Sequence, residues 1–168
     1  VAIDLLLQKS YPSWLYPVTQ GATTIWERWD GLKPDGTTQT PSMNSYNHYA
    51  YGAIGEWMYR QLLGIQIDEK HAGFKHFFLK PIFPKEFDEV KGSYESLYGK
   101  IGVHWKQNDD NLTLSVEIPA NTSATLELPN EVGTWSKAID NNRNLKFTSV
   151  TQNQQQLGSG KYVFRKEK

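Results

Sequence analysis

The sequence predicts a mixed fold, an all-α segment followed by an all-β antiparallel sandwich. Three observations carry this expectation. Apolar residues recur at helical spacing near the start of the chain and again from Ala50 to Leu62. Beyond Pro81 they alternate with a period of two, as in half-buried strands. Trp14, Trp26, Trp29 and Trp57 all fall early, and only Trp105 and Trp135 follow, so the two parts differ in job as well as in period.

Val1, Leu5 and Leu6 suit the end of a helix, which Tyr11-Pro12 stops, because proline disfavours helical geometry in the residue before it. From Trp14 to Asn44 the pattern is irregular and is marked by Gly21, Gly31, Pro34, Asp35-Gly36 and Pro41. A loop this long and this aromatic reads as functional rather than disordered. The clearest helix follows. Asn47 can cap it, with Asn44 or Ser45 as equally acceptable starts; Ala50, Ile54, Trp57, Met58 and Leu62 share a face, and Gly64 is the stop. Gly52 and Gly55 inside it point to close approach by a neighbour, since each costs about 1 kcal/mol against alanine. A linker is expected between Gly64 and Pro84.

In the second part Leu112, Leu114, Val116 and Ile118 alternate with Thr113, Ser115 and Glu117. Ile101, Val103 and Trp105 make a partner strand across the turn Asn108-Asp109-Asp110-Asn111, and Ser123 to Leu128 makes a third. Weaker strands are expected at 132–139, 145–150 and 161–165, and six or more short strands with such spacing argue for a sandwich.

Composition excludes several classes. Eighteen basic and 18 acidic residues balance, leaving no electrostatic footprint for nucleic acid or an anionic membrane. There is no cysteine, so disulfides and thiolate metal sites are out while the compartment stays open. No apolar run approaches the roughly 20 residues that span a bilayer. Val1 to Leu7 resembles the middle of an element, so the chain is expected to be a piece of a longer protein.

Trp26-Glu27-Arg28-Trp29-Asp30 sets two carboxylates and a guanidinium between two indoles. Indole faces stack on sugar rings and exclude water, while acids beside them bind hydroxyls or activate a water. Glu27 is the leading general-base candidate. Asp30 fits either a hydroxyl acceptor or a turn residue before Gly31, and Arg28 either orients a carboxylate or covers an indole. His48 fits a sugar-hydroxyl contact or a structural role. His71, His76 and His104 form no metal-ligand spacing with it, and neither metal nor cofactor is expected.

Gly21 to Gly31, Ser42-Met43-Asn44 and Asn47 to Trp57 closely resemble bacterial α-L-rhamnosidases of glycoside hydrolase family 78. The likeness continues through Gly64-Ile65, Gly73-Phe74-Lys75, Tyr98-Gly99, Ile118 to Thr122 and Gly158 to Tyr162, nearly the whole chain. It implies that residues 1–78 are the end of an (α/α)6 barrel and 79–168 a C-terminal β-sandwich. It implies removal of terminal α-L-rhamnose from glycosides with inversion, with Glu27 as base and His48 on the rhamnose. Trp26, Trp29 and Asp30 would line the site. The family's general acid lies upstream of this region, so the chain alone is expected to be inactive. The alternative is a non-catalytic carbohydrate-binding or structural sandwich module. Trp105 alternates with core residues, which favours the structural form of that alternative.

Overall fold

Strict alternation produces the best-defined strands. In the computed structural model, which describes residues 1–129, 134–140 and 145–167, β5 (Asn111–Ile118) buries Leu112, Leu114, Val116 and Ile118 and leaves the residues between them half-buried. It pairs antiparallel with β4 (Gly99–Gln107), whose Ile101, Val103 and Trp105 are buried, and the turn closes on Asn108, whose Oδ1 accepts the N–H groups of Asp110 and Asn111. The expected hairpin is present as read.

The chain falls into two compact units, Val1–Glu56 and Trp57–Lys168. In the second, strands β1 (Ile65–Ile67), β2 (His76–Leu79), β6 (Ser123–Glu127) and β9 (Gln154–Leu157) form a four-stranded sheet in the order β1-β2-β6-β9. A six-stranded sheet has the order β3-β4-β5-β10-β7-β8, with β3 Glu89–Ser96, β7 Trp135–Ile139, β8 Thr148–Ser149 and β10 Gly160–Glu167. One continuous apolar core joins Phe77, Leu79 and Leu126 of the first sheet to Trp105, Leu114 and Phe164 of the second. Among the described residues pairing is antiparallel except between β2 and β6, which run parallel. The weak strands expected at 132–139, 145–150 and 161–165 correspond to β7, β8 and β10, with residues 132 and 133 outside the described ones.

Residues 64–84, where a linker was expected, hold β1 and β2. Gly64 ends the preceding helical run with a left-handed φ of 73°, and Lys80 N–H donates to its carbonyl at 2.8 Å. A Cβ at Gly64 would stand 2.1 Å from Pro81 N, so the chains cross where only glycine fits. The turn before it, Met58–Leu62, is lashed to the sandwich. Trp105 Nε1 donates to Leu62 O at 2.8 Å, Tyr59 Oη to Ser93 O at 3.2 Å, and Ile82 N–H to Gln61 O at 3.0 Å. Tyr59, Gln61 and Leu62 of this turn therefore bond with the strand-bearing part of the chain.

The helix expected from Asn47 is shorter and less regular. A 3-10 turn at Ala50–Ala53 passes into α-helix at Ile54–Trp57 and a π-turn at Met58–Leu62. Asn47 does not cap it, because the first turn starts from Tyr49 and has no side-chain cap bond. Ala50, expected on the buried face, is exposed, whereas Leu62 is buried. Gly52 meets the expected close approach, a Cβ there falling 2.6 Å from the Tyr49 ring; Gly55 has open space instead. The remaining helices are short, α1 at Ala2–Leu7 and α2 at Leu15–Thr19. No helix among the described residues is long and apolar enough to cross a membrane.

Candidate functional site

The long irregular segment of the first unit is held by specific bonds in place of secondary structure. Glu27 N–H donates to Ser45 O at 2.8 Å, and two residues upstream Ile25 O accepts the His48 N–H at 2.8 Å. Thr24 Oγ1 donates to Tyr46 O. Gly31 N–H turns back on Arg28 O at 3.3 Å, and Asn44 Nδ2 donates to Gly31 O at 3.0 Å. A Cβ at Gly31 would lie 2.6 Å from Asn44 Oδ1, so glycine is what permits this approach. The motif 26–30 is thus stapled along its length to residues 44–48.

On that frame Glu27, Trp29 and Asp30 line one open depression of about 290 Å³, together with Pro12 and Tyr51. Glu27 Oε2 accepts the Ser45 N–H at 2.8 Å, which fixes one carboxylate oxygen and the direction of the other. Trp29 is wedged between Trp14, at 4.6 Å between ring centroids, and Tyr51, at 5.9 Å. Trp14 Nε1 in turn donates to Tyr51 O at 3.3 Å. Burial pushes the Tyr51 phenol up, so it keeps its proton and donor capacity at neutral pH.

Asp30 is a carboxylate held by three side-chain bonds. Arg28 grips it with two prongs, Nε to Oδ1 at 2.9 Å and a terminal nitrogen to Oδ2 at 3.2 Å, and Gln39 Nε2 adds a third bond to Oδ2 at 2.9 Å. The Arg28 bond first, and then that from Gln39, hold its carboxyl below the usual range against the opposing effect of burial. Arg28 therefore orients a carboxylate, one of its two expected roles.

The other predicted residues lie elsewhere. Trp26, expected to line the site, is buried at 7% exposure and packs edge-on against Tyr46 at 4.9 Å, supporting the loop from inside. His48 is exposed and is not among the lining residues of the depression; its backbone bond to Ile25 O is what ties it to the motif. Sequence reasoning missed Ser45, Gln39 and Pro12. Tyr51 lies within the Asn47–Trp57 block but was given no role there. Bonds made across an irregular loop leave no periodic signal, so nothing marked Gln39 or Ser45.

The sandwich presents no tryptophan platform among the described residues. Trp105 is fully buried, as expected, and Trp135 is buried as well.

Two sequence families meet within this chain. The bacterial alpha-L-rhamnosidase 6 hairpin glycosidase domain matches residues 1–62. The bacterial alpha-L-rhamnosidase C-terminal domain matches residues 64–141. This chain belongs to the bacterial α-L-rhamnosidase family. An alpha-L-rhamnosidase of Streptomyces avermitilis is 43% identical over 129 residues, covering 77% of this chain and 12% of that protein. One of Formosa agariphila is 40% identical over 137 residues, covering 82% of this chain and 14% of that protein. Among solved structures, the Streptomyces avermitilis alpha-L-rhamnosidase complexed with L-rhamnose superposes with TM-score 0.77 at 35% identity, over 96% of this chain and 15% of that one. The alpha-L-rhamnosidase of Dictyoglumus thermophilum gives TM-score 0.79 at 25% identity, over 99% of this chain and 18% of that one. The chain thus spans about an eighth of the length of the rhamnosidases it matches and carries both a 6-hairpin segment and a C-terminal domain.

Proposed function

We propose that this chain is the C-terminal part of an inverting α-L-rhamnosidase and supplies the general-base half of its active site. The observation that carries the reading is the Glu27 carboxylate, fastened by the Ser45 N–H beside the Trp29 indole in an open depression. In that role Glu27 takes a proton from a water as the water attacks the anomeric carbon on the face opposite the leaving group. A carboxylic acid elsewhere in the parent enzyme protonates the departing glycosidic oxygen. Inverting chemistry separates two such carboxyls by about 6.5–9.5 Å to admit the water.

Trp29 offers the face against which an apolar sugar surface packs. Asp30, held ionised by Arg28, accepts a sugar hydroxyl with a lone pair that Arg28 and Gln39 leave available. His48 donates to or accepts from a hydroxyl, and Trp26 contributes through the packing of the loop. The substrate is a rhamnose-containing glycan or glycoside. The buried state of Trp105 and Trp135 supports a structural role for the sandwich rather than a lectin-like one.

The intact parent enzyme tests this reading. Glu27→Gln keeps the shape and the Ser45 bond but removes the base, and is expected to lower kcat about 10²- to 10⁴-fold with folding unchanged. Near-wild-type kcat would remove Glu27 from the role. The isolated chain is expected to leave an aryl α-L-rhamnoside intact, since a lone base lacks both its acid and the pocket that orients the sugar. Turnover by the isolated chain that Glu27→Gln abolishes would overturn that.

A further inference from the structure

The outer face of the four-stranded sheet carries a cluster that the glycosidase reading does not use. Asp68 follows β1, His71 lies three residues on, and His76 opens β2. The turn between them is wound around Asp68, whose Oδ1 accepts the Lys70 N–H at 3.0 Å and whose carbonyl accepts the His71 N–H at 2.9 Å. Its Oδ2 meets Nδ1 of His71 at 2.8 Å and Nδ1 of His76 at 2.7 Å. Ligand-capable atoms of all three side chains lie within 4.8 Å of one another.

We propose that Asp68, His71 and His76 form a binding site for a divalent transition-metal ion of the zinc class. The donor set is two imidazole nitrogens and a carboxylate oxygen, which suits zinc, nickel or cobalt and not the all-oxygen preference of calcium or magnesium. Tetrahedral zinc with bonds near 2.0–2.2 Å needs donors about 3.3 Å apart. The present contacts are shorter than that by roughly half an ångström, a spreading that small side-chain rotations supply.

A second layer of bonds favours this use of His76. Thr125 on β6 has a single hydroxyl proton, and it goes to Gln156 Oε1 at 3.0 Å. Thr125 Oγ1 then accepts from His76 Nε2, 2.9 Å away, which orients the ring with Nδ1 turned to Asp68, where a metal ion would take the place of the Nδ1 proton that meets the carboxylate. Metal-bound histidines are oriented in this manner, through the ring nitrogen that does not touch the ion. Charge and access agree. Asp68 places one carboxylate oxygen between the two imidazoles, an anionic donor for the cation. The side chains of Asp68 and His76 are 10% and 17% exposed, but that of His71 is 51% exposed, leaving room for water to complete the coordination. Lys75 lines the same depression but gives its ammonium to Asn121 O at 2.5 Å.

The test is a titration of the tag-free 168-residue chain with zinc chloride, followed by calorimetry and by ring-nitrogen NMR. One equivalent is expected to bind, with coordination shifts at Nδ1 of His71 and His76 and none at His104. His71→Gln, at a half-exposed position, and the isosteric Asp68→Asn are each expected to weaken binding at least tenfold. Thr125→Val is expected to weaken it about 10- to 100-fold through loss of the orienting bond. His104→Gln should bind as wild type. Equal affinity in wild type and His71→Gln would overturn the site, as would no zinc uptake at millimolar concentration. Equal binding of calcium chloride would overturn the metal class.

Discussion

Glu27 and Ser45 bond each other twice, Glu27 N–H to Ser45 O and Ser45 N–H to Glu27 Oε2, both at 2.8 Å. The pairing works like one rung of a ladder closed by a side chain, and it couples the position of a carboxylate to the path of a loop 18 residues away. The length of the Glu27 side chain is then a functional parameter. In the intact parent, Glu27→Asp keeps the charge but draws the carboxylate back by one methylene, so it cannot hold Ser45 and reach the same water. A displacement near 1 Å is expected to lower kcat about 100-fold, with less effect on KM. Steady-state kinetics on an aryl α-L-rhamnoside check this, and an Asp variant as active as wild type would show that the Ser45 bond does not position the base.

Asp30 makes a pH prediction. Its folded value lies below that of an unfolded aspartate, about 3.9, chiefly because of the Arg28 bond. The stabilisation is therefore complete above the ordinary aspartate value and is lost as pH falls through the lowered folded one. The pair is partly exposed, so Asp30→Asn is expected to cost only about 1 kcal/mol at neutral pH. Thermal melts from pH 7 to 2 should show a constant gap between wild type and variant that closes below about pH 4. A gap that widens in acid would reverse the sign.

Trp105 anchors the sandwich core and satisfies the Leu62 carbonyl. Trp105→Phe removes the donor and is expected to cost about 1–3 kcal/mol. Trp105→Ala adds a cavity and should cost about 3–5 kcal/mol. Denaturant midpoints of the isolated chain read both, and indistinguishable losses would mean that the hydrogen bond contributes nothing beyond packing.

Gly64→Ala combines a left-handed backbone with a contact of 2.1 Å on Pro81 N. It is expected to destabilise by about 3 kcal/mol or more. Gly158→Ala, where a Cβ meets open space, is the control and should stay within about 0.5 kcal/mol of wild type.

The legible and the illegible strands differ in a physical way. β4 and β5 alternate cleanly because one face meets a continuous core and the other meets water. β1 and β2 are three and four residues long, too short for a period to emerge, so they read as linker. β9 runs Gln-Gln-Gln-Leu and owes its strand state to β6, against which it pairs. The helix at residues 50–62 starts later than expected, from Tyr49, and buries Leu62 of the expected face while Ala50 stays exposed.

The residue types alone determined the order of helical and sandwich parts, the hairpin of β4 and β5 and the aromatic-acidic motif, because periodicity and composition are local properties. Only the tertiary structure decided which motif residues share a surface. Glu27, Trp29 and Asp30 face one depression, while Trp26 is turned inward on Tyr46. The same holds for Asp68, His71 and His76, whose spacing in the chain matches no metal motif. A short strand and a turn wound on one carboxylate bring them within 4.8 Å. Convergence of that kind comes from strand pairing and loop bonds between distant residues, and no window of sequence contains it.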